Sequence, residues 1–256
     1  MSLPKEPRQK MINMMYLVLT ALLALNVSVE VLNAFRTVNH SIERSNQVID
    51  EKNNLTYNAF TREIADPQTA ALAKIWAPPA MKVKALSATF TTYLDSLKAK
   101  LVDASNPQMK DGKMDYTLGN LDAATRLFDR EGQGKILYDS LRKYRQDLLN
   151  ILDPANFPDV SQAVKDDLKK QQVEFARRLP IDTRIPESEE GNELVGNDSA
   201  HNWTIRYFHM TPTVAALTIL SKFQSDVKNS ESQVVDYLHK QIGEVKVVFN
   251  KFEPLV

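Results

Sequence analysis

The sequence predicts an all-α protein, in which an N-terminal transmembrane helix continues into a helical bundle and a short β-like segment ends the chain. Three observations predict this fold. Only 7 of the 256 residues are glycine, and the first of them is Gly112. Residues that favour helices, namely Ala, Leu, Lys, Gln and Glu, are abundant. A run without charged residues lies between Lys10 and Glu30 and is mainly apolar.

Composition excludes several classes of function. The chain carries 32 basic and 32 acidic side chains, so its formal net charge is zero. Broad electrostatic binding of nucleic acid needs an excess of Lys and Arg, and we therefore expect no nucleic-acid partner. Because cysteine is absent, disulfides, thiolate nucleophiles, cysteine-ligated zinc and iron–sulfur clusters are excluded as well.

The apolar run predicts a single membrane span. Residues 11–32 have about the length that a helix needs to cross a bilayer. Basic residues precede the run and Glu30 closes it, so the positive-inside rule predicts that residues 1–10 are cytoplasmic and residues 33–242 periplasmic. A cleaved signal peptide and a buried core helix are the alternatives. No small-residue cleavage site follows the run, which favours an inner-membrane anchor.

One face of the predicted span is polar. At 100° per residue, a single stripe contains Gln9, Asn13, Tyr16, Thr20 and Ala24. Lipid solvates amides and hydroxyls poorly, so this stripe is expected to face other helices. Arg8 lies at the cytoplasmic end, where it either pairs with a carboxylate of a partner or only sets the topology.

The first helix is predicted to continue beyond the membrane. Apolar residues follow with the 3-4 spacing that is typical of paired helices. We expect a dimer seam at Val31, Phe35, Val38, Ile42 and Ile49. The alternative is one helix lying on the core of its own domain. No Pro or Gly interrupts the chain between Pro7 and Asp66, as a stiff rod requires.

Turn signals divide the rest of the chain. Asp66 and Pro67 predict a break, and Pro78 with Pro79 is expected to separate a short helix from a longer one over 80–104. Residues 106–119 are predicted to form a loop. Further helices are predicted over 121–130, 135–152 and 156–178, and an extended connection over 180–202.

The last predicted helix begins at Thr211 and Pro212, a capping residue followed by proline in the first turn. It is predicted to end at Ile242. After Gly243 the β-branched residues alternate with polar ones, so residues 243–256 are expected to form a linker or the first strand of a following domain.

No motif in the sequence predicts catalysis or a metal site. The segment Gly132 to Lys135 lacks the spacing of a phosphate-binding loop, and a turn between two helices explains it better. None of the four histidines belongs to a metal-binding motif. Trp203, Tyr207 and Phe208 are expected to fill a core rather than to bind a cofactor. We therefore expect no enzyme, no cofactor and no resident metal.

Residues 8–35, RQKMINMMYLVLTALLALNVSVEVLNAF, resemble the start of the GldM family, called PorM in non-gliding bacteria. The motifs RQKMIN, MYLV and ALNVS in this order are specific to that resemblance. A weaker likeness continues through NLDAATRLF, LRKYRQDLL and residues 203–238. Members are inner-membrane motor proteins of the type IX secretion system.

The resemblance implies a non-enzymatic homodimer whose two transmembrane helices lie inside a ring of GldL (PorL). Arg8, Asn13, Tyr16 and Thr20 would contact that ring. Ion flow through GldL would rotate the dimer, and the periplasmic part would pass the torque to an outer-membrane-associated ring of GldK and GldN. A signal-anchored periplasmic sensor or scaffold is the alternative, although ten cytoplasmic residues are too few for an output domain.

Overall fold

The computed structural model describes residues 7–110, 113–115, 118–183 and 199–249. These residues are almost entirely helical, in agreement with the predicted class. The helices are α1 (Pro7–Ala65), α2 (Ala70–Ala104), α3 (Leu121–Ala124), α4 (Gln133–Ile151), α5 (Gln162–Arg178), α6 (Ser199–Phe208) and α7 (Thr213–Phe249). A π-helical segment, Thr125–Arg130, extends α3, and a 3₁₀ turn, Pro154–Asn156, follows α4.

Helix α1 is one continuous helix of 59 residues. At 1.5 Å per residue it is about 90 Å long. It ends where the sequence predicts a break, because Pro67 cannot supply a backbone donor. In the turn that follows, the Asp66 carboxylate accepts a hydrogen bond from the backbone N–H of Gln68 at 3.0 Å.

Helix α2 contains both prolines that were predicted to separate two helices, so this prediction is wrong. Each proline leaves a carbonyl of the preceding turn without its helical donor. Packing outweighs that cost here, because Trp76, Ala77 and Ala80 are all buried on either side of the pair. Trp76 also contacts the ring of Phe157 at a centroid distance of 4.9 Å.

The predicted loop over 106–119 contains two short antiparallel strands, β1 (Gln108–Lys110) and β2 (Lys113–Asp115), with Met109 opposite Met114. Strands of three residues are too short to give an alternation signal. Asn120 then caps α3, since its side-chain oxygen accepts from the backbone N–H groups of Asp122 and Ala123.

Three other boundaries differ from the prediction. The predicted extended connection over 180–202 is wrong at its end, because α6 begins at Ser199 and packs Ala200, Trp203 and Thr204 into the core. Helix α5 begins at Gln162 rather than near residue 156, because Phe157 turns out of helical geometry and is buried. Helix α7 passes through Gly243 and ends at Phe249, so the predicted β-like segment is wrong over its described residues. One glycine costs about 1 kcal/mol in a helix, too little to stop a long one, and β propensity depends on context. Residues 250–256 lie outside the described part.

Aromatic side chains form the centre of the bundle. Trp203 is completely buried, and its ring contacts those of Tyr138, Phe208 and Phe223. Phe208 in turn stacks on Phe128 of the π-helical segment at 3.9 Å. The predicted core role of the 203–208 aromatic residues is thus confirmed.

Helices α1, α2 and α7 form the long axis of the bundle. Contacts between α1 and α7 run in the same order along both helices, from Phe35 with Thr218 to Glu63 with His239, so the two helices are parallel. Helix α2 is antiparallel to α1, since Lys84 lies over Tyr57 whereas Lys98 lies beside Glu43.

Two glycines at the start of α4 are required for different reasons. Gly132 has a φ of 73°, in the left-handed region that favours glycine. Gly134 has an ordinary φ but packs directly on α6, where an added Cβ would lie 2.3 Å from Thr204 Cγ2 and 2.8 Å from the Phe128 carbonyl oxygen.

We expect Gly134→Ala to lower the free energy of unfolding by about 1–3 kcal/mol, because α4 and α6 would have to separate. Gly243→Ala is the matched control: an added Cβ there meets nothing within 4 Å, so helix propensity should raise stability by up to about 1 kcal/mol. Urea unfolding followed by circular dichroism measures both. Equal stability of the two variants would contradict the tight α4–α6 contact.

Candidate functional site

The face of α1 that packs on α7 is polar. Asn39, Asn46 and Asn53 occur at seven-residue intervals, so they lie on one face of the helix. They are 6%, 5% and 2% exposed. Burial of three amides in a row is unusual and needs specific partners. We call these three residues the asparagine ladder.

Each amide of the ladder binds α7. The Asn39 side-chain oxygen accepts from the Ser221 hydroxyl at 2.7 Å. Asn46 donates to the Ser221 carbonyl at 3.2 Å, and Asn53 donates to the Lys228 carbonyl at 3.2 Å. Among the described residues, the side-chain oxygens of Asn46 and Asn53 are buried without a protein partner. The ladder therefore costs stability relative to an apolar interface and restricts how the two helices align.

Charged groups extend the ladder toward the end of α1. Lys228, whose side chain is 11% exposed, pairs with Asp50. The Tyr57 hydroxyl donates to the Glu231 carboxylate at 2.7 Å. Nearer the surface, Lys52 contacts Asp236 at 2.6 Å. Together with the ladder, these contacts join α1 and α7 from about residue 39 to residue 57.

Burial shapes the electrostatics of this interface. Desolvation raises the pKa of Glu231, although the hydrogen bond from Tyr57 and the charge of Lys228 act against it. Desolvation also raises the pKa of Tyr57, and the nearby Glu231 charge raises it further. On α2, desolvation lowers the pKa of Lys98, against the attraction of Glu43 and Asp95. These polar groups therefore depend on one another, and removing one partner leaves a buried group unsatisfied.

The predicted dimer seam lies on the neighbouring face of α1. Val31, Phe35 and Val38 are 48%, 37% and 48% exposed, whereas Ile42 and Ile49 are half-buried. Helix α1 does lie on the core of its own domain, which was the alternative considered from the sequence, but along a stripe that differs from the seam. Pairing of two chains through the seam remains a prediction.

The predicted ring-facing residues all lie on the first four turns of α1. Arg8, Asn13, Tyr16 and Thr20 are exposed. The Thr20 hydroxyl donates to the Tyr16 carbonyl at 2.9 Å within the same helix. Arg8 precedes Gln9 and so lies about 100° away from the polar stripe.

Large apolar side chains cover the same four turns. Each of them is more than half exposed: Met11, Ile12, Met14, Met15, Leu17, Val18 and Leu19. Over the described part of the chain, no helix has both the length and the apolar character needed to cross a membrane. The predicted span, residues 11–32, includes residues 21–29, whose side chains lie outside the described part. Single-pass anchoring therefore remains a prediction.

Within the described residues, no group of three or more His, Asp or Glu side chains could hold a metal ion. Asp129 contacts two histidines: its carboxylate lies 3.3 Å from His209 and 3.9 Å from His201. Both histidines are about half exposed, so this contact is a surface ion pair when they are protonated.

The fold and the interface define a class: a helical bundle built on one long helix and joined to it by buried polar contacts. The protein-family model that describes the GldM N-terminal domain matches residues 30–241 of this chain. The chain therefore belongs to the GldM family, as the resemblance of residues 8–35 indicated. No curated protein matches the chain.

Family membership makes the chain a component of the type IX secretion and gliding machinery. It also implies association with other components of that machinery in the cell envelope, and a structural rather than an enzymatic role.

The importance of the Tyr57–Glu231 contact can be tested by Tyr57→Phe. Loss of the hydroxyl leaves the buried Glu231 carboxylate without its donor, so we expect stability to fall by about 1.5–3 kcal/mol. Lys52→Met is the control, because its surface ion pair contributes at most about 1 kcal/mol. Urea unfolding at pH 7.5 compares the two variants. Equal stability of Tyr57→Phe and Lys52→Met would show that the Tyr57–Glu231 hydrogen bond contributes little to stability.

Proposed function

We propose that α1 is the shaft of a rotary motor, which carries motion from the membrane to the periplasmic bundle. The single observation that supports this function best is the continuity of α1 from Pro7 to Ala65. Every turn of a helix is held by its own backbone hydrogen bonds, so torque applied at one end reaches the other. A flexible joint would absorb the rotation instead.

The α1–α7 interface supports transmission into the bundle. An apolar interface permits sliding and rotation at little cost, whereas buried amides and ion pairs must break their contacts before the helices can shift. Asn46, Asp50 and Asn53 lie on successive turns of α1, and Asn39 lies two turns before Asn46. Load on α1 would thus be shared along α7 rather than concentrated at one contact.

At the membrane end, two copies of α1 would lie inside a ring of a GldL-type protein. Arg8 would pair with a carboxylate of the ring, and Asn13, Tyr16 and Thr20 would form hydrogen bonds that change as the ring is protonated. Thr20 would act mainly as an acceptor, since its proton is used within α1. Two helices in a ring of different symmetry cannot satisfy all contacts at once, so each protonation would favour the next angular position.

The proposal also includes a contact between two chains and a partner at the outer membrane. The exposed residues Val31, Phe35 and Val38 would pair two chains above the membrane, because apolar side chains at this spacing are typical of paired helices. The bundle would then pass rotation, driven by the proton-motive force, to GldK and GldN-type proteins at the outer membrane.

The shaft can be tested by Glu30→Pro. Proline in the helix interior removes a hydrogen bond and kinks the chain, at a cost of about 3 kcal/mol. Glu30 is exposed and precedes the bundle, so the bundle should still fold. We expect secretion of type IX cargo into the medium to be lost, while the amount of protein in the membrane fraction stays normal.

Glu30→Gln is the matched control, since it removes the same charge without affecting the helix, and it should secrete normally. Wild-type secretion by Glu30→Pro would rule out a stiff shaft. A pure scaffold, the alternative function, predicts that outcome, because a kinked anchor still holds its bundle in place.

The role of Arg8 can be tested separately. Arg8→Ala should abolish secretion and leave the protein in the membrane, because the ring carboxylate loses its counter-charge. Lys10→Ala removes a neighbouring positive charge and should have little effect, provided that topology is unchanged. If both variants secreted normally, the proposed pairing of Arg8 with the ring would be wrong.

A further inference from the structure

A cavity of about 860 Å³ lies where α4, the end of α5 and the start of α6 meet. Three arginines line it: Arg142 and Arg145 from α4, and Arg177 from α5. A second cavity of about 370 Å³ adjoins the first and shares Arg142 and Arg145 with it. We call this region the arginine pocket. It is separate from the α1–α7 interface.

Contacts with groups other than carboxylates hold Arg142 and Arg145 in place. The Arg142 guanidinium lies over the ring of Tyr138, 5.6 Å from its centroid. A terminal N–H group of Arg145 donates a hydrogen bond to the carbonyl oxygen of Ala176. Within the described part of the chain, neither of the two has a carboxylate at ion-pair distance. Arg177 is 4.0 Å from Glu174, and both side chains are mostly exposed.

The surroundings favour an anionic ligand. Among the described residues that line the larger cavity, three are arginines and one, Asp182, carries a carboxylate. Leu179 and Ile181, both buried, provide apolar contact beside the charges. Guanidinium groups bind carboxylates in a two-pronged geometry that adds specificity to charge attraction.

The size of the cavity and the spacing of its arginines further restrict the class of ligand. The cavity is several times larger than a single carboxylate or phosphate group. Arg142 and Arg145 are three residues apart on α4, so their Cβ atoms are about 5–6 Å apart on one face. Alternate side chains of an extended peptide are separated by about 6.5–7 Å. Two acidic residues separated by one residue therefore match the two arginines.

We propose that the arginine pocket binds an extended acidic peptide segment of a partner protein. It is a docking site on the side of the bundle and does not depend on rotation or on the membrane span. A failure of the shaft would leave it intact, and loss of the pocket would leave the α1–α7 interface unchanged.

The test uses the full chain and a fluorescein-labelled ten-residue peptide of alternating Glu and Ala, with fluorescence anisotropy at low salt. We expect Arg142→Gln with Arg145→Gln to weaken binding by at least about tenfold, since charge-assisted hydrogen bonds are lost. Arg142→Gln alone should weaken it measurably. This single variant keeps the Arg145–Ala176 hydrogen bond, so the contact between α4 and α5 is retained.

Lys169→Gln with Lys170→Gln is the matched control. It removes two exposed charges from α5 outside the pocket and should stay within about twofold of the wild type. A peptide of alternating Gln and Ala should not bind. Equal weakening in both double variants would show non-specific attraction and overturn the proposal, as would the absence of any wild-type binding.

Binding that appears only after Glu187, Glu189 and Glu190 are changed to Gln would also overturn the proposal. In that case the acidic stretch of the chain itself, rather than a partner, would occupy the pocket.

Discussion

The parallel contact between α1 and α7 is the constraint on which the rest of the structure depends. An isolated helix of 59 residues gains little from intrinsic propensity, and most helical stability in proteins comes from packing. Here the second half of α1 obtains that packing from α7. Because amides and charges make much of this contact, it restricts the two helices to one alignment.

This arrangement separates two faces of α1. The asparagine ladder binds the domain of its own chain, while Val31, Phe35 and Val38 on the neighbouring face stay exposed. A purely apolar stripe facing α7 could exchange partners with the seam of a second chain. Polar residues at the intramolecular contact reduce that ambiguity, because each amide in the wrong place would be buried without a partner.

Features governed by local chemistry were predictable from the sequence. Pro67 ends α1, and Trp203 fills the core, as the residue types indicated. Features governed by tertiary packing were not. Nothing near Pro78 in the sequence shows that buried neighbours keep α2 intact, and Gly243 gives no sign that α7 continues.

The asparagine ladder was not predicted from the sequence. The seven-residue spacing of Asn39, Asn46 and Asn53 is visible in the sequence, yet polar residues at such positions are usually taken for a solvated face. Only contact with α7 shows that they are buried. Arg142 and Arg177 lie 35 positions apart in the chain, so their meeting at one pocket depends on the fold.

The most direct test of the account measures the length of α1 across residues 21–29. The chain has no cysteine, so Val18→Cys and Val48→Cys, both at exposed positions, would carry two unique spin labels. Pulsed electron paramagnetic resonance on the full chain in lipid nanodiscs, diluted with unlabelled chain, gives their separation. A continuous helix predicts one narrow distribution near about 45 Å. A broad distribution, or one centred well below that distance, would mean that α1 bends between the two labels and cannot act as a shaft.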